Sequence, residues 1–547
     1  MIKKIFLIIF LSFNSFFFGQ GINNFSINGN LVLNGQTFQE DLQIGAEKRD
    51  PNLTSNLNIL IKYKNDITAG VRYDIYKNPI PGFEKYEGNG IGNRFIQFQN
   101  IKNVDITLGH FYDQFGSGIL FRSYFDPNLG IDNSVNGLRI KYNPISGIDL
   151  MGIIGKQKNY WELGPGIIRG FDANIYINNF IFKNSNSIMT LGLSFVTKKQ
   201  KDNNPVYILP ENVGSWSGRA TLSKGNWNFE GEYAYKINDP SQTNNYIYKN
   251  GNSLILSSSY SVKGLGFVLS GKRVDNMNYR SDRNAVLQEL NINFLTSLNK
   301  QQSYALASIY PYVTQPNGEM GMQFDCFYKI PKKSKLGGKY GTEFSFNFSN
   351  CFDINKTPVS PNENQINEPG TLGYESNFFK IGENKLFQEL NIELKKKVNR
   401  KLKLSSTYIN IYNNDKVLKA QKILENSSHE EIYANIFIAE GEYRIKPKYT
   451  LKSELQHLHT NQHFGNWGMI LIEANMDRFF FSIQDLYNYG HPEDAAHYYS
   501  LTLGMVKNSH RLELRYGKVR AGLFCVGGIC REVPASNGFS INLTSTF

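Results

Sequence analysis

Little in this sequence would hold a soluble multidomain enzyme together. Four cysteines in 547 residues are too few for a disulfide-stapled scaffold. No Pro- or Ser-rich hinge and no shift in composition marks a domain boundary, although a soluble chain of this length would need several domains. No regular repeat is present, which argues against a solenoid, β-helix or propeller. The one acid- and histidine-rich stretch, HPEDAAH (His491, Glu493, Asp494, His497), lacks a nucleophile elbow. No catalytic residue is assigned and an enzyme is not expected. His457, His459 and His463 fall within seven residues. His457 and His459 share a strand face with Tyr449, Leu451 and Leu455, which favours the membrane–water interface over a metal site. No metal and no cofactor is expected.

Charge of one sign is also not concentrated. There are 59 Lys and Arg against 47 Asp and Glu, a formal charge of +12, and the basic residues are spread among the acids. Nucleic acid is not expected as a partner; the excess suits a pore lining or anionic lipid. The first residues, MIKKIFLIIFLSFNSFFFGQ, carry a basic start (Lys3, Lys4) and an apolar run interrupted at Ser12, Asn14 and Ser15. Such a run is short for a membrane span and reads as a secretory signal over residues 1–20. The remainder, 21–547, is read as one domain.

What is abundant is period-two alternation, the pleat of a β-strand. Phe344, Phe346 and Phe348 oppose Glu343, Ser345, Asn347 and Ser349. Leu390, Ile392 and Leu394 oppose Glu389, Asn391, Glu393 and Lys395. Aromatic residues reach 14%, with 39 Phe and 32 Tyr. Mean hydropathy is only −0.38, as expected when lipid-facing and lumen-facing residues alternate.

Connections alternate between tight turns (143–147, 263–266, 398–400) and long irregular loops. That asymmetry belongs to a transmembrane barrel, with short turns on one rim and long loops on the other. The pattern predicts an all-β fold: a single closed antiparallel transmembrane barrel of about 24 strands (roughly 20–26), integral to the outer membrane. Phe547 ends an alternating strand and is the candidate insertion signal for the barrel assembly machinery.

Cys525 and Cys530 bracket Gly527-Gly528. A two-residue hairpin turn on the glycines makes the cysteines a non-hydrogen-bonded pair, Cα atoms ~4.5 Å apart, within disulfide reach. Cys326 shares a face with Met322, Phe324 and Tyr328 and is expected to point at lipid. Cys351 is read as lying in the following loop, and a bond between the two is disfavoured.

Four stretches resemble one family. They are 109–140 (GHFYDQFGSGILFRSYFDPNLGIDNSVNGLRI), 310–321 (YPYVTQPNGEMG), 335–342 (KLGGKYGT) and 525–534 (CVGGICREVP). Together they are similar to the large outer-membrane barrels of unassigned function found across Bacteroidota. The resemblance implies a barrel and supplies no substrate. DITLGHFYDQFG is also similar, more loosely, to a strand-into-loop segment of general porins.

The loop from Gln114 to Asn133 has two readings. Folded inward, it would set a constriction, with Arg122 facing Asp126 or Asp132 across the lumen. The other reading is an ordinary external loop. The longest irregular stretch, from Val274 to Gly318, carries Lys272, Arg273, Arg280 and Arg283 at its start and a stiff segment with Tyr310, Tyr312, Gln315 and Glu319. It is read as a cap, a plug or a docking surface; alternatively it faces lipopolysaccharide phosphates. Two functions follow. The first is a porin-like barrel passing small hydrophilic solutes, with loops as the gate. The second is a structural barrel in a larger envelope complex, its lumen closed by loops and its outer loops binding a surface or envelope protein. Expected partners are outer-membrane lipid, lipopolysaccharide and the assembly machinery.

Overall fold

The computed structural model describes residues 24–181, 185–359, 366–418, 430–490, 495–526 and 529–547. The signal-peptide reading of 1–20 lies outside them. Twenty-four strands form one antiparallel sheet. Each barrel strand pairs with the next in sequence, and the sheet closes where Phe25–Phe38 pairs with Ser536–Thr546. Closure leaves no strand edge, which is the condition for a sheet exposed to hydrocarbon.

Short turns gather on the rim that carries the termini. Tyr63 to Ile67, Lys224 to Trp227, Val262 to Leu265 and Met476 to Phe479 are joined by two or three residues. Left-handed φ angles at Gly225, Gly264 and Asp477 reverse the chain there. The opposite rim carries the long loops, here called the loop rim. The stretch after Cys351, read as loop, is strand as far as Pro358; its partner Tyr374–Lys397 reaches 24 residues. Register shifts between Cys351 and Lys356 twist this hairpin beyond the sheet.

The two faces of the barrel differ as alternation requires. Phe171, Leu193, Phe195, Leu256, Phe437, Leu455 and Leu503 point outward and are exposed. Ser194, Asp172, Ser217, Glu232, Glu389 and Glu454 point inward and are buried. Cys326 is on the outer face, paired with Phe346, while Cys351 is inward and 1% exposed. The two lie on opposite faces and remain free thiols. The last residue meets the first strand: Phe547 N donates to Gly29 O at 2.9 Å and Gly29 N to Phe547 O at 2.7 Å. The Phe547 ring fills the space over Gly29, where a Cβ would lie 2.2 Å from it.

Candidate functional site: a lumen filled by two inserted loops

Strands Val104–Phe111 and Val135–Tyr142 are hydrogen-bonded neighbours, with Phe111 opposite Val135. Residues 112–134 therefore leave and rejoin the wall at one point, and they fold into the barrel. Phe115, Ile119, Leu120 and Phe121 are at most 1% exposed. They pack on Ile153, Ile168, Val196, Val213 and Ala234, inward residues of five successive strands. Gly116 (φ 51°) is where the loop touches the wall; a Cβ there would lie 2.8 Å from both Glu232 carboxylate oxygens. Ser117 N donates to Glu232 Oε2 at 2.9 Å.

The far end of this loop is held by charge. Asp132 accepts from Lys158 Nζ at 2.6 Å, from Tyr112 Oη at 2.8 Å and from Arg72. Arg72 also pairs with Asp74 at 2.8 Å, and Asn56 donates to Asp74 at 2.8 Å. The Arg72 guanidinium lies 4.0 Å from the Phe125 ring. Burial pushes the Asp132 carboxyl up, but Arg72 and Lys158 outweigh it and hold the group below the usual carboxylate range.

Among the described residues Arg122 is ion-paired with no acid. Its guanidinium stacks 4.1 Å from the Phe294 ring and 4.8 Å from Tyr124. Asp126 instead caps its own turn, accepting from Asn128 N at 3.0 Å and Leu129 N at 3.1 Å. The transverse Arg122–acid field expected from sequence is thus replaced by a stacking clamp, because the second inserted loop fills the space across from it.

That second loop is 276–318, between strands Leu265–Asp275 and Glu319–Ile330. It is knitted to the first: Arg122 N donates to Ile292 O at 2.8 Å and Phe294 N to Gly118 O at 2.9 Å. Asn293 Nδ2 donates to Met277 O at 2.8 Å and Ile119 O at 3.2 Å. The loop then crosses to the opposite wall. Leu298, Leu306, Ile309, Tyr310 and Tyr312 pack on Phe387, Ile409, Ile411, Ala434, Ile436, Leu458, Trp467 and Met469. Leu306 N donates to Gln456 Oε1 at 3.0 Å and Tyr304 Oη to Glu440 at 2.8 Å. Tyr312 Oη and Gln315 N (2.7 Å) both donate to Glu319, which is ion-paired with Lys272. The segment singled out by sequence, Tyr310 to Glu319, is therefore brought together inside the barrel.

The basic residues at the start of this loop are not a surface patch. Lys272, Arg273, Arg280 and Arg283 are all buried. Arg273 reaches Asp275 and Ser376, Arg280 donates to Asn278 Oδ1 and two carbonyls, and Arg283 donates to Pro210 O. Burial lowers the Arg280 guanidinium to about 10, against the opposing pull of Glu289.

The segment between the last two barrel strands forms a hairpin, Gly522–Val526 paired with Ile529–Val533. Cys525 and Cys530 are opposite one another and disulfide-bonded, Cα atoms 4.1 Å apart. The Gly527-Gly528 tip lies outside the described residues. The hairpin lies across the loop rim: Gln301 Nε2 donates to Cys525 O at 3.2 Å, Gln288 to Cys530 O and Arg531 to Asn128 O.

Toward the terminal rim the inward charges become half exposed. Lys329–Glu343 (2.9 Å) and Lys403–Glu442 (3.1 Å) are water-accessible cross-strand pairs. The lumen is wet at one end and filled at the other. His457 bonds Tyr489 Oη at 2.5 Å and His459 bonds Asn466 at 2.9 Å. No group of three or more metal-binding side chains occurs among the described residues. Of HPEDAAH, His491, Glu493 and Asp494 lie outside the described residues, and His497 pairs with Asp485 at 2.7 Å.

Sequence reading missed the wall charges Arg72, Asp74, Lys158, Asp172, Arg219 and Glu232. Their signal was spacing: Arg72 and Asp74 are two apart on one strand and so share the inner face.

A family model described as a family of unknown function (DUF6029) matches residues 1–547. No curated protein matches. Among solved structures, the P pilus usher (PapC) translocation pore is similar over 95% of this chain and 99% of that one, with 8% identity and a TM-score of 0.44. The siderophore receptor PirA from Pseudomonas aeruginosa covers 95% and 80%, with 8% identity and a TM-score of 0.39. OccAB4 from Acinetobacter baumannii covers 84% and 97%, with 10% identity and a TM-score of 0.33. The fold assignment itself rests on the strand pairing described above.

Proposed function

The chain belongs to the family of unknown function DUF6029, so its role has to come from its own geometry, and we propose a loop-gated, porin-like barrel of the outer membrane. In this reading it passes small hydrophilic solutes passively, and the structure is its closed state. The observation that carries it is the contrast along the lumen. One end is lined by half-exposed charge pairs of both signs, and the other is filled by loops that belong to the wall's own connections. A mixed-charge wet vestibule suits small polar solutes of either sign. Lipid at the outer face, lipopolysaccharide at the loop rim and the assembly machinery acting on the strand ending in Phe547 are the partners this reading carries. A Bacteroidota source is part of the same proposal, on the four stretches that resemble that family.

The second reading is a structural barrel with a permanently closed lumen and a surface or envelope protein on its loop rim. The dry contact between 298–312 and the far wall favours it. Planar-bilayer recording separates the two. The gated reading expects rare, brief openings in the full-length protein and openings at least about tenfold more frequent, ~1.4 kcal/mol, once Asp132→Asn loosens the first loop. Assembled barrels silent in both proteins would leave the structural reading.

A further inference from the structure

The basic residues that stand dispersed among acids along the sequence are gathered by the fold onto one half of the terminal rim. Ten successive strands, from Glu319–Ile330 to His510–Val519, are joined there by five turns. With the strand ends that frame them (329–341, 395–403, 444–448, 477–478 and 507–511), these turns hold 17 Lys and Arg and one acid, Asp477. Five turns of the other half (62–66, 102–105, 141–149, 224–227 and 262–265) hold six and three. Lys329, Lys395, Lys403, Lys448 and Arg511 are ion-paired; the other twelve cations of this crescent are paired with no acid among the described residues. Every cation between 332 and 339 and between 396 and 401 is exposed.

Like charges gathered without acids repel one another, and a partner of opposite charge removes that cost. Bilayer lipid does not account for the crescent, because lipid surrounds a barrel on all sides. The rings that meet lipid near this rim do run all the way round: Phe25, Tyr142, Trp227, Tyr328, Tyr443 and Phe479 stand outward, each 39–52% exposed. The cations occupy one half alone. A single small anion does not match their extent, since ten strands at ~4.8 Å spacing span about 45 Å. A protein interface is anchored by aromatic residues and Arg and is poor in Lys, whereas 13 of the 17 cations are Lys. Flexible lysines act as point charges without a shaped pocket. They suit an extended polymer whose negative groups recur along its length.

We propose that this basic crescent binds peptidoglycan, the carboxylate-bearing polymer that lies beneath an outer membrane, with the turns at 331–341 and 398–401 as the main contacts. The contact tethers the barrel to the cell wall through the carboxylates of the peptide stems. The inference rests on the outer-membrane reading, in which the terminal rim faces the wall, and not on whether the barrel conducts.

The test sediments purified sacculi, stripped of protein and lipid, with the full-length protein in non-ionic detergent. The protein should sediment saturably at about 50 mM salt and be released as salt rises to about 300 mM, because exposed charges are screened. Sacculi whose carboxyls have been amidated should bind at least about tenfold more weakly. Lys332→Gln, Lys333→Gln, Lys335→Gln and Lys339→Gln together should weaken binding about tenfold or more, and so should Lys396→Gln, Lys397→Gln, Arg400→Gln and Lys401→Gln together. Lys62→Gln, Lys102→Gln, Lys224→Gln and Lys263→Gln together remove the same charge from the other half and should change it less than about twofold. Heat-modifiable migration on a gel should stay unchanged in all three variants, which are exposed and lie outside both inserted loops. No saturable sedimentation, equal binding to amidated sacculi, or equal losses from the two halves would overturn the proposal. Binding kept in phosphatidylcholine nanodiscs but lost in phosphatidylglycerol ones would assign the crescent to lipid and overturn it as well. Membrane fractionation of the source cells tests the outer-membrane placement by itself, so a failed placement and a failed crescent are distinguished.

Discussion

The two sides of the filled lumen are built differently. On the side that meets 112–134, each of five wall strands offers one buried apolar residue, Ile153, Ile168, Val196, Val213 or Ala234 in turn. Around that belt the wall is charged: Asp172–Arg219 at 2.8 Å, Lys198–Asp239 at 2.7 Å, and Glu232. On the side that meets 298–312, single strands offer several apolar residues. Ile409 and Ile411 share one strand, and Ile432, Ala434, Ile436 and Ile438 share the next. A charged wall remains soluble in a wet lumen if its loop leaves. An isoleucine wall does not, because every Å² uncovered costs about 25 cal/mol. In the gated reading proposed above, this contrast would make the second loop's far limb the anchor and the first loop the moving element.

The largest effect should come from putting charge into the anchor. Ile436→Asp removes a buried aliphatic group, ~2–5 kcal/mol, and adds a carboxylate with no partner. Val196→Asp on the other side has Lys198 two residues away on the same face and should be milder. Heat-modifiable migration and protease access to 298–312 measure both; equal damage would erase the distinction.

Next is the charge cluster. Asp132→Asn leaves Lys158 and Arg72 to share Asp74, 3.8 Å and 2.8 Å away, a loss of up to the order of 3–5 kcal/mol for a broken buried pair. Release of 112–134 should show as new proteolytic cleavage there while the barrel stays assembled. The same contribution has a pH sign. The Asp132 carboxyl is depressed in the closed state, so its contribution is complete above the ordinary value of about 4 and is lost as pH falls below it. Wild type at about pH 3 should open toward the Asp132→Asn level, and the variant's own acid response should be smaller.

Arg122→Ala should be weaker still, about 1–2 kcal/mol for a partly desolvated cation stacked on rings. It should raise open probability without altering ion selectivity. A changed selectivity would instead place Arg122 on the solute path. The most local effect belongs to the hairpin: the Cys525–Cys530 bond closes a very short ring, so Cys525→Ala with Cys530→Ala should cost the hairpin about 2 kcal/mol and the barrel almost nothing. Loss of structure confined to 522–533 by hydrogen exchange is expected; collapse of the barrel would show the hairpin to be structural.

Much of the architecture was legible. Alternation, tight turns and the Gly527-Gly528 bracket are local signals, and the barrel and the hairpin follow from them. The interior was legible only in part. Phe121, Tyr124 and Phe125 pointed to packing in the first loop and sheer length marked the second, but the sequence left an inward and an external reading open for both. The partners of Asp132 and Arg122 were not legible, since they come from Arg72, Lys158 and Phe294, up to 172 positions away in sequence. The end of the Phe-rich strand was misplaced for a related reason. From Cys351 onward the pairing carries successive register shifts, and Cys351 itself packs on the second loop, so alternation no longer marks the strand. Stretches such as 431–438, apolar on both faces, carried the same message: the lumen wall there is covered, not wet.

The first inserted loop is fastened at both ends to neighbouring strands, Phe111 lying opposite Val135. It is therefore a leash as well as a stopper. A stopper that is a separate body can diffuse away; this one stays at high effective concentration over its own seat however it is dislodged. In the gated reading, reclosure would be a first-order event whose rate does not depend on protein concentration. Any permeability should come in short flickers, their length set by how far the shorter first loop can swing before its own tether draws it back.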